Sequence, residues 1–145
     1  MYSIDNKQYP CSTSLTMKYI GGKWKAVILI HLIEKKRYSE LRKACKVITE
    51  RTLSLQLKEM EEDGLIRRTV HTSKPPLKVD YELTDFGKTL IPLLTSIAQW
   101  GKETAKRNKR IKVSDLSVST FDTTLIHSKA AIEFSLNSLD TNDKR

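Results

Sequence analysis

The side chains best suited to recognising another molecule lie in one short segment near the middle of the chain. Hydroxyl, amide, carboxylate and guanidinium groups can match the hydrogen-bonding pattern on the edges of DNA bases, and arginine in particular pairs with guanine. The apolar side chain of Leu55 can in addition contact the methyl group of a thymine. The candidate base contacts are Thr49, Glu50, Arg51, Thr52, Ser54, Leu55 and Gln56. For each of them the alternative is an ordinary solvated helix surface.

Side chains able to hold phosphate groups flank this segment on both sides. Phosphate contacts require charge and reach but little exact geometry. The candidates are Ser39, Arg42, Lys43, Lys58, Lys74 and Lys78. The whole chain has 26 Lys and Arg against 17 Asp and Glu, a formal net charge of +9, which favours a polyanionic partner such as double-stranded DNA. An ordinary charged loop is the alternative for each lysine.

Two cysteines, Cys11 and Cys45, are candidates for redox sensing. Cys11 precedes a predicted helix and has Lys7 nearby, and both features favour the thiolate. Cys45 ends the helix before the candidate segment, where an inert buried thiol is the competing interpretation. The cysteines and the three scattered histidines show no zinc-ligand spacing, so we expect no metal and no cofactor.

Two helices joined by a short turn are predicted to carry the candidate segment. Ser39 caps the first, Glu40–Cys45, and Thr49 caps the second, which ends at Asp63. The second helix has leucines and a methionine at helical spacing on one side. That side is predicted to face the core, which leaves the opposite side free to read DNA.

Two alternating segments follow these helices and predict a hairpin. Leu65–Thr72 and Lys78–Leu83 alternate apolar and polar side chains as half-buried strands do. The connecting segment Ser73–Leu77 contains two prolines, which cannot belong to an inner strand. Helix, turn, helix and hairpin in this order predict a winged helix-turn-helix.

Two further helices are predicted before this unit. Ser12 or Thr13 caps the first, and Lys23–Glu34 is apolar on nearly all sides, as expected for a buried helix. Met1–Pro10 is polar without periodicity and is predicted to be an N-terminal arm. The charged segment Glu34–Arg37 is predicted to be a turn.

A long apolar helix after the hairpin predicts a dimer. Its apolar residues recur at three- and four-residue steps and form more surface than one small core readily covers. Thr84 is predicted to cap this helix and Pro92 to kink it or to mark a change of register. The predicted interface residues are Leu15, Leu90, Leu93, Leu94, Ile97 and Trp100.

Length and composition predict one domain with an arm and an extension. A chain of 145 residues, 39% of them hydrophobic, can bury one core. The arm covers residues 1–10, the winged-helix domain residues 11–107, and the extension residues 108–145, a linker followed by a helix over Leu125–Leu139. The sequence shows no membrane-spanning run and no signal peptide, which predicts a cytoplasmic protein. It shows no catalytic motif either, so no catalytic residue and no enzymatic activity are predicted.

Short motifs spread over much of the chain resemble one bacterial family. They are Cys11, IGGKWK at Ile20–Lys25, YSELR at Tyr38–Arg42, ITERTL at Ile48–Leu53, LKEME at Leu57–Glu61, DGLI at Asp63–Ile66, VDYELT at Val79–Thr84, Gly87, and QWG at Gln99–Gly101. In this order and spacing they resemble the HxlR-type winged-helix regulators, which are related to the MarR group. Leu55, where that family usually has a polar residue, and the long segment after Lys109 depart from the family pattern.

The resemblance implies a homodimeric DNA-binding transcriptional repressor or activator. The implied fold is α+β, mainly α, a winged helix-turn-helix with a long C-terminal dimerisation helix. The implied partner is a pseudo-palindromic operator, and some members of the family sense an oxidant or electrophile through the cysteine that corresponds to Cys11. Two alternatives stay open, namely a thiol-based redox switch without DNA binding and a winged helix that contacts only proteins. The sequence identifies neither the operator nor the inducer.

Overall fold

The computed structural model of the protein describes residues 1–113. The predicted helix over Leu125–Leu139 and most of the linker before it lie outside these residues. The elements in chain order are β1 Tyr2–Ile4, β2 Lys7–Tyr9, α1 Ser12–Ile20, α2 Lys25–His31, β3 Lys36–Arg37, α3 Tyr38–Ala44, α4 Glu50–Glu62, β4 Ile66–Val70, β5 Val79–Leu83, α5 Asp85–Lys88 and α6 Ile91–Arg107. The chain divides into two compact units, the first comprising Met1–Gly87 and the second beginning at Lys88.

The N-terminal arm forms a hairpin, which the sequence pattern did not predict. Strands β1 and β2 pair antiparallel, with Tyr2 opposite Tyr9. Asp5 and Asn6 form the turn with φ angles of 48° and 63°. Positive φ at both central residues is the geometry that suits a two-residue hairpin, and Asp and Asn tolerate it better than most residues. Each strand has only three residues, too few for an alternation of apolar and polar side chains to indicate a strand.

The core of the first unit is built from helices α2, α3 and α4 and from strands β4 and β5. Fully buried side chains from each helix contribute, including Ile28 and Leu29 of α2, Leu41 of α3 and Leu53 of α4. Burying apolar area of this kind supplies the main favourable term in folding. Because α4 contributes its buried side to this core, its other side is held in a defined orientation.

Helix α2 is shorter than predicted, and the predicted charged turn after it contains a strand. The helix ends at His31, and Lys36–Arg37 form β3, which pairs with Tyr81 and Asp80 of β5. The sheet order is therefore β3-β5-β4. Two charged residues show no strand pattern locally, and the pairing joins segments far apart in sequence, so sequence periodicity could not reveal it.

The caps of α1 and α3 also differ from the predictions. Cys11, and neither Ser12 nor Thr13, precedes α1 as its N-cap residue. Helix α3 begins one residue before Ser39, so Ser39 lies inside the first turn. The cap of α3 is Arg37, whose backbone N–H donates to the Glu40 carboxylate at 2.9 Å.

The predicted long last helix is two helices. Thr84 acts as the predicted cap, because its hydroxyl accepts the backbone N–H of Gly87 at 3.0 Å. The first helix, α5, ends at Lys88, and α6 starts at Ile91 with Pro92 in its first turn. A proline there breaks no backbone hydrogen bond, so it starts a helix and does not kink one.

Candidate nucleic-acid interface

Helix α4 has the two sides that its sequence predicts. Leu53, Leu57 and Met60 are fully buried. The residues on the opposite side are exposed, and we call them the exposed stripe. They are Glu50, Arg51, Ser54, Leu55 and Lys58. The helix ends before Gly64, whose φ of 76° is the left-handed conformation that glycine adopts at little cost.

Two predicted base contacts, Thr49 and Thr52, use their side chains to start the helix. The Thr49 hydroxyl accepts the backbone N–H of Thr52 at 3.3 Å and donates to the Thr52 hydroxyl at 2.8 Å. Such a cap satisfies a backbone donor that the first helical turn leaves unpaired. These hydroxyls therefore fix the beginning of α4, and Thr52 is itself half-buried.

Two other predicted contacts lie at the margin of the stripe. Gln56 is half-buried. Glu50 is exposed, and its carboxylate accepts a long hydrogen bond of 3.5 Å from the Tyr38 hydroxyl of α3. Among the predicted base contacts, Arg51, Ser54 and Leu55 therefore have the most freedom to contact a ligand.

The predicted phosphate contacts of α3 and α4 differ in availability. Arg42 is half-buried, and its guanidinium donates to the backbone carbonyl of Ile48 at 2.7 Å, which holds the turn between the two helices. Ser39 and Lys43 are exposed. Lys58 is exposed as well and lies 4.0 Å from Glu62, a surface pair that contributes little to stability.

The predicted hairpin is confirmed as β4 and β5, with the wing loop between them. Val79, Tyr81 and Leu83 of β5 are buried, as their alternation predicts. The backbone N–H of His71 donates to the Lys78 carbonyl at 2.8 Å, and the Thr72 hydroxyl accepts the Lys78 N–H at 3.2 Å. The base of the loop is thus hydrogen-bonded.

The predicted wing contacts Lys74 and Lys78 are both exposed. Lys74 lies in the loop next to two prolines, which restrict the backbone there. The loop therefore presents positive charge on a backbone that is closed at its base and constrained near its tip.

One acidic side chain, missed in the sequence, ties the wing to β3. The carboxylate of Asp80 on β5 lies 2.6 Å from Nε2 of His71, 3.4 Å from Nε of Arg37 and 3.7 Å from Nζ of Lys35. The hydrogen bond with His71 is the main reason why the pKa of Asp80 is lowered, and Arg37 adds to the effect. Asp80 thus connects the base of the wing loop to β3.

Lys35 and Arg37 are cationic residues that sequence reasoning missed. They line a surface depression together with Ser39, Lys43, Glu40 and Asp80. Two predicted phosphate contacts, Ser39 and Lys43, therefore have two further cations beside them. Their only signal in the sequence was charge, since the strand that places them here forms by distant pairing.

The comparisons with known proteins identify the family. Residues 19–109 match the model of the HxlR-like helix-turn-helix family. The chain belongs to this family. An uncharacterized HTH-type transcriptional regulator of Bacillus subtilis (strain 168), YdeP, is 44% identical over 114 residues, which cover 78% of this chain and 88% of that protein.

Solved structures of regulators share the fold. The redox regulator HypR in its oxidized form has 45% identity, covers 64% of this chain and 96% of its own, and superposes with a TM-score of 0.59. A MarR-family putative transcriptional regulator from Porphyromonas gingivalis W83 has 31% identity over 67% of this chain and 95% of its own, with a TM-score of 0.62. The HxlR-like chain is an HTH-type transcriptional regulator with a winged helix-turn-helix fold.

The two cysteines of this HxlR-like regulator lie in opposite environments. Cys11 is exposed, and hydrogen bonds from the backbone and hydroxyl of Ser14 lower the pKa of its thiol. Cys45 is buried, and burial raises the pKa of its thiol although the charge of Arg42 opposes the change. Because the thiolate is the reactive form, Cys11 is the more reactive of the two.

Helix α6 of the regulator carries an exposed apolar set, Leu93, Ile97 and Trp100, and 71% of the Trp100 surface is exposed. Leu94, which was predicted at the interface, is fully buried in the single chain, so its side chain is not available to a second subunit. Leu15 and Leu90 are half-buried.

None of the helices over residues 1–113 is long and apolar enough to cross a membrane. Within the same residues, no group of three or more His, Cys, Asp and Glu side chains is placed to hold a metal ion.

Proposed function

We propose that this regulator binds a pseudo-palindromic operator as a homodimer, with α4 of each subunit in the major groove. The exposed stripe of α4 is the observation that carries the proposal. It presents Arg51, Ser54, Leu55 and Lys58 on a helix whose other side is buried. A helix of this kind fits the major groove of B-form DNA, where base edges differ in their donors and acceptors.

Phosphate contacts come from both sides of this helix. The exposed wing lysines Lys74 and Lys78 lie on one element and Lys43 on another. Lys35 and Arg37 add positive charge next to Lys43. Such contacts position the protein on the duplex without reading its sequence. Arg42 is not among these contacts, since it is half-buried and its guanidinium donates to the Ile48 carbonyl.

Dimerisation through α6 follows from its exposed apolar residues. Leu93, Ile97 and Trp100 lie at three- and four-residue steps, which places them on the same side of a helix. A contiguous apolar surface on a small protein is typical of an interface. In a symmetric dimer the two copies of α4 would enter major grooves about 34 Å apart, one turn of DNA.

The salt dependence of DNA affinity tests the proposal. If about six phosphates are contacted per dimer, the logarithm of the association constant should fall against the logarithm of salt concentration with a slope of roughly −5. Lys35→Gln should make the slope shallower by about two, one for each subunit. A slope near zero for the wild type would contradict DNA binding.

Lys7→Gln is a matched control for Lys35→Gln. Lys7 is exposed and lines a different depression, together with Glu59, Glu62 and Asp63 at the far end of α4. The Lys7→Gln substitution also removes one positive charge, but at a position outside the proposed contact surface. An equal change of slope in both variants would place Lys35 outside the contact surface.

Sedimentation velocity tests the proposed interface. The double variant Leu93→Lys with Ile97→Lys should sediment as a monomer, because two charges cannot be buried against a second apolar surface at small cost. Lys102→Glu is the control, since Lys102 is exposed on the same helix and, nine residues after Leu93, lies on its other side. A double variant that remains dimeric would place the interface elsewhere.

A second part of the proposal is that oxidants or electrophiles change DNA binding through Cys11. Its exposure and lowered pKa support this role, as does similarity to the redox regulator HypR. The expected first product is a sulfenic acid or an adduct at Cys11. A disulfide with Cys45 of a second subunit is the less favoured version, because Cys45 is buried and would have to become accessible.

DNA affinity before and after mild peroxide or quinone treatment tests this second part. The wild type should change its affinity and Cys11→Ser should not. Cys45→Ser should respond like the wild type if a sulfenate or adduct is sufficient. It should lose the response if the disulfide is required. Identical binding of the wild type in both conditions would rule out thiol sensing.

A further inference from the structure

The exposed stripe of α4 contains one large apolar side chain among polar neighbours. Leu55 is 53% exposed, whereas Leu53 and Leu57 of the same helix are almost completely buried. Leu55 follows Arg51 by four residues and precedes Lys58 by three, so helical spacing places these three residues on one side. Leu55 therefore lies in the middle of the surface that is proposed to enter the groove.

The core does not account for this leucine. Leu53, Leu57 and Met60 form the buried side of α4, and Leu55 is not part of it. A single exposed leucine is common on protein surfaces and needs no explanation in general. This one differs because it is flanked by cations on a surface suited to a polyanion, which is a poor environment for an apolar protein partner.

The major groove offers one apolar feature that an aliphatic side chain can recognise. Each base pair presents hydrogen-bond donors and acceptors there, and thymine alone adds a methyl group on C5. Contact between Leu55 and such a methyl group would remove apolar surface of both partners from water. The neighbouring Arg51 and Lys58 can at the same time pair with a guanine edge or a phosphate.

We propose that Leu55 is a specificity-determining residue that recognises the 5-methyl group of one thymine in each half-site. This inference rests on the proposed function, since it assumes that α4 lies in the major groove. It assigns to the chain a base preference that its polar residues would not produce. The preference is for the methyl group itself, so it separates thymine from uracil.

Deoxyuridine substitution in the bound DNA tests this inference. Duplexes are first selected from a random pool with the wild-type protein, and each thymine is then replaced by deoxyuridine at equivalent positions of both half-sites. At one position the wild type should lose about fourfold in affinity per methyl group, or roughly fifteenfold for the pair. Leu55→Ser should bind the thymine and deoxyuridine duplexes equally.

Val47→Ser is the matched control. Val47 is 70% exposed in the turn that precedes α4, so it is a second exposed apolar residue close to the same helix. Val47→Ser should keep the full loss on deoxyuridine substitution. Both positions are exposed, so both variants should keep the thermal midpoint of the wild type, and circular dichroism checks that they are folded.

The outcomes separate the inference from the proposed function. Enrichment of a sequence whose thymine methyl groups have no effect on wild-type affinity overturns the inference alone. So does a Leu55→Ser variant that still distinguishes thymine from deoxyuridine. A pool in which no sequence is enriched overturns the proposed function and the inference with it.

Discussion

Helix α4 and the wing hold their exposed side chains by different means. Behind the exposed stripe of α4, the buried residues Leu53, Leu57 and Met60 connect the helix to the core. Close packing of this kind leaves little freedom to rotate or shift the helix. Each side chain of the stripe therefore projects in a direction that the core determines.

The wing loop has no comparable buried set in its tip. Residues 73–78, which include both wing lysines, are all exposed. The loop is held instead at its base, by the hydrogen bonds of His71 and Thr72 and by the contact between His71 and Asp80. Polar contacts near water are weaker than a packed core, and the contact with the Asp80 carboxylate also depends on its protonation.

The difference between the two regions suits the two kinds of contact that DNA requires. Reading a base edge needs donors and acceptors placed to within a fraction of an ångström, and a packed helix can supply that precision. Holding a phosphate needs charge and reach, and a short loop with lysines is sufficient. We therefore expect α4 to determine sequence preference and the wing to determine general affinity.

Removing part of the packing behind α4 should have the largest effect on stability. Leu57→Ala should lower the free energy of unfolding by about 2–5 kcal/mol, because it removes buried methyl groups and leaves a cavity. Leu55→Ala, on the exposed side of the same helix, should change it by no more than about 0.5 kcal/mol. Urea denaturation measures both, and equal losses would mean that the two sides are not distinct.

Substitutions in α4 and in the wing should have different effects on DNA binding. Arg51→Ala should cost about 1–3 kcal/mol of binding free energy and relax the preference at one base pair of each half-site. Lys74→Ala should weaken binding to all sequences alike and reduce the salt dependence. Random-pool selection with each variant gives the answer. A changed base preference in Lys74→Ala would assign sequence reading to the wing as well.

Acid should affect the wing base more than the helix. The folded state lowers the pKa of Asp80, so its carboxylate stabilises the protein above about pH 4, and this contribution is lost as the pH falls through the lowered value. Asp80→Asn should therefore have a lower thermal midpoint than the wild type at pH 6, and the difference should shrink towards pH 3. Asp85→Asn, at an exposed aspartate outside the sheet, is the control. A constant difference over this range would argue against the role of Asp80.

Local sequence patterns were sufficient for the helix-turn-helix and for the hairpin. Leu53, Leu57 and Met60 recur at helical spacing, and Val79, Tyr81 and Leu83 alternate as a strand does. Thr49 and Gly64 marked the two ends of α4 because capping and left-handed backbone have strong residue preferences. These signals depend on neighbouring residues, so they can be read without knowing the fold.

The failures in the three-stranded sheet share one physical cause. The strand Lys36–Arg37 exists because it pairs with β5, and no local property of two charged residues predicts that pairing. The same holds for the group formed by Lys35, Arg37, His71 and Asp80, whose members come from three separate segments. Long-range pairing depends on the whole chain, which local propensity cannot represent.

Whether a predicted side chain is available to DNA was likewise decided by tertiary structure. The sequence alone determined that Arg42, Thr49 and Leu94 have the right types at the right spacing. The structure shows that Arg42 bonds a backbone carbonyl, that Thr49 caps α4 and that Leu94 is buried. Residue type determines which contacts a side chain can make, and the neighbours that folding brings to it determine which of them it makes.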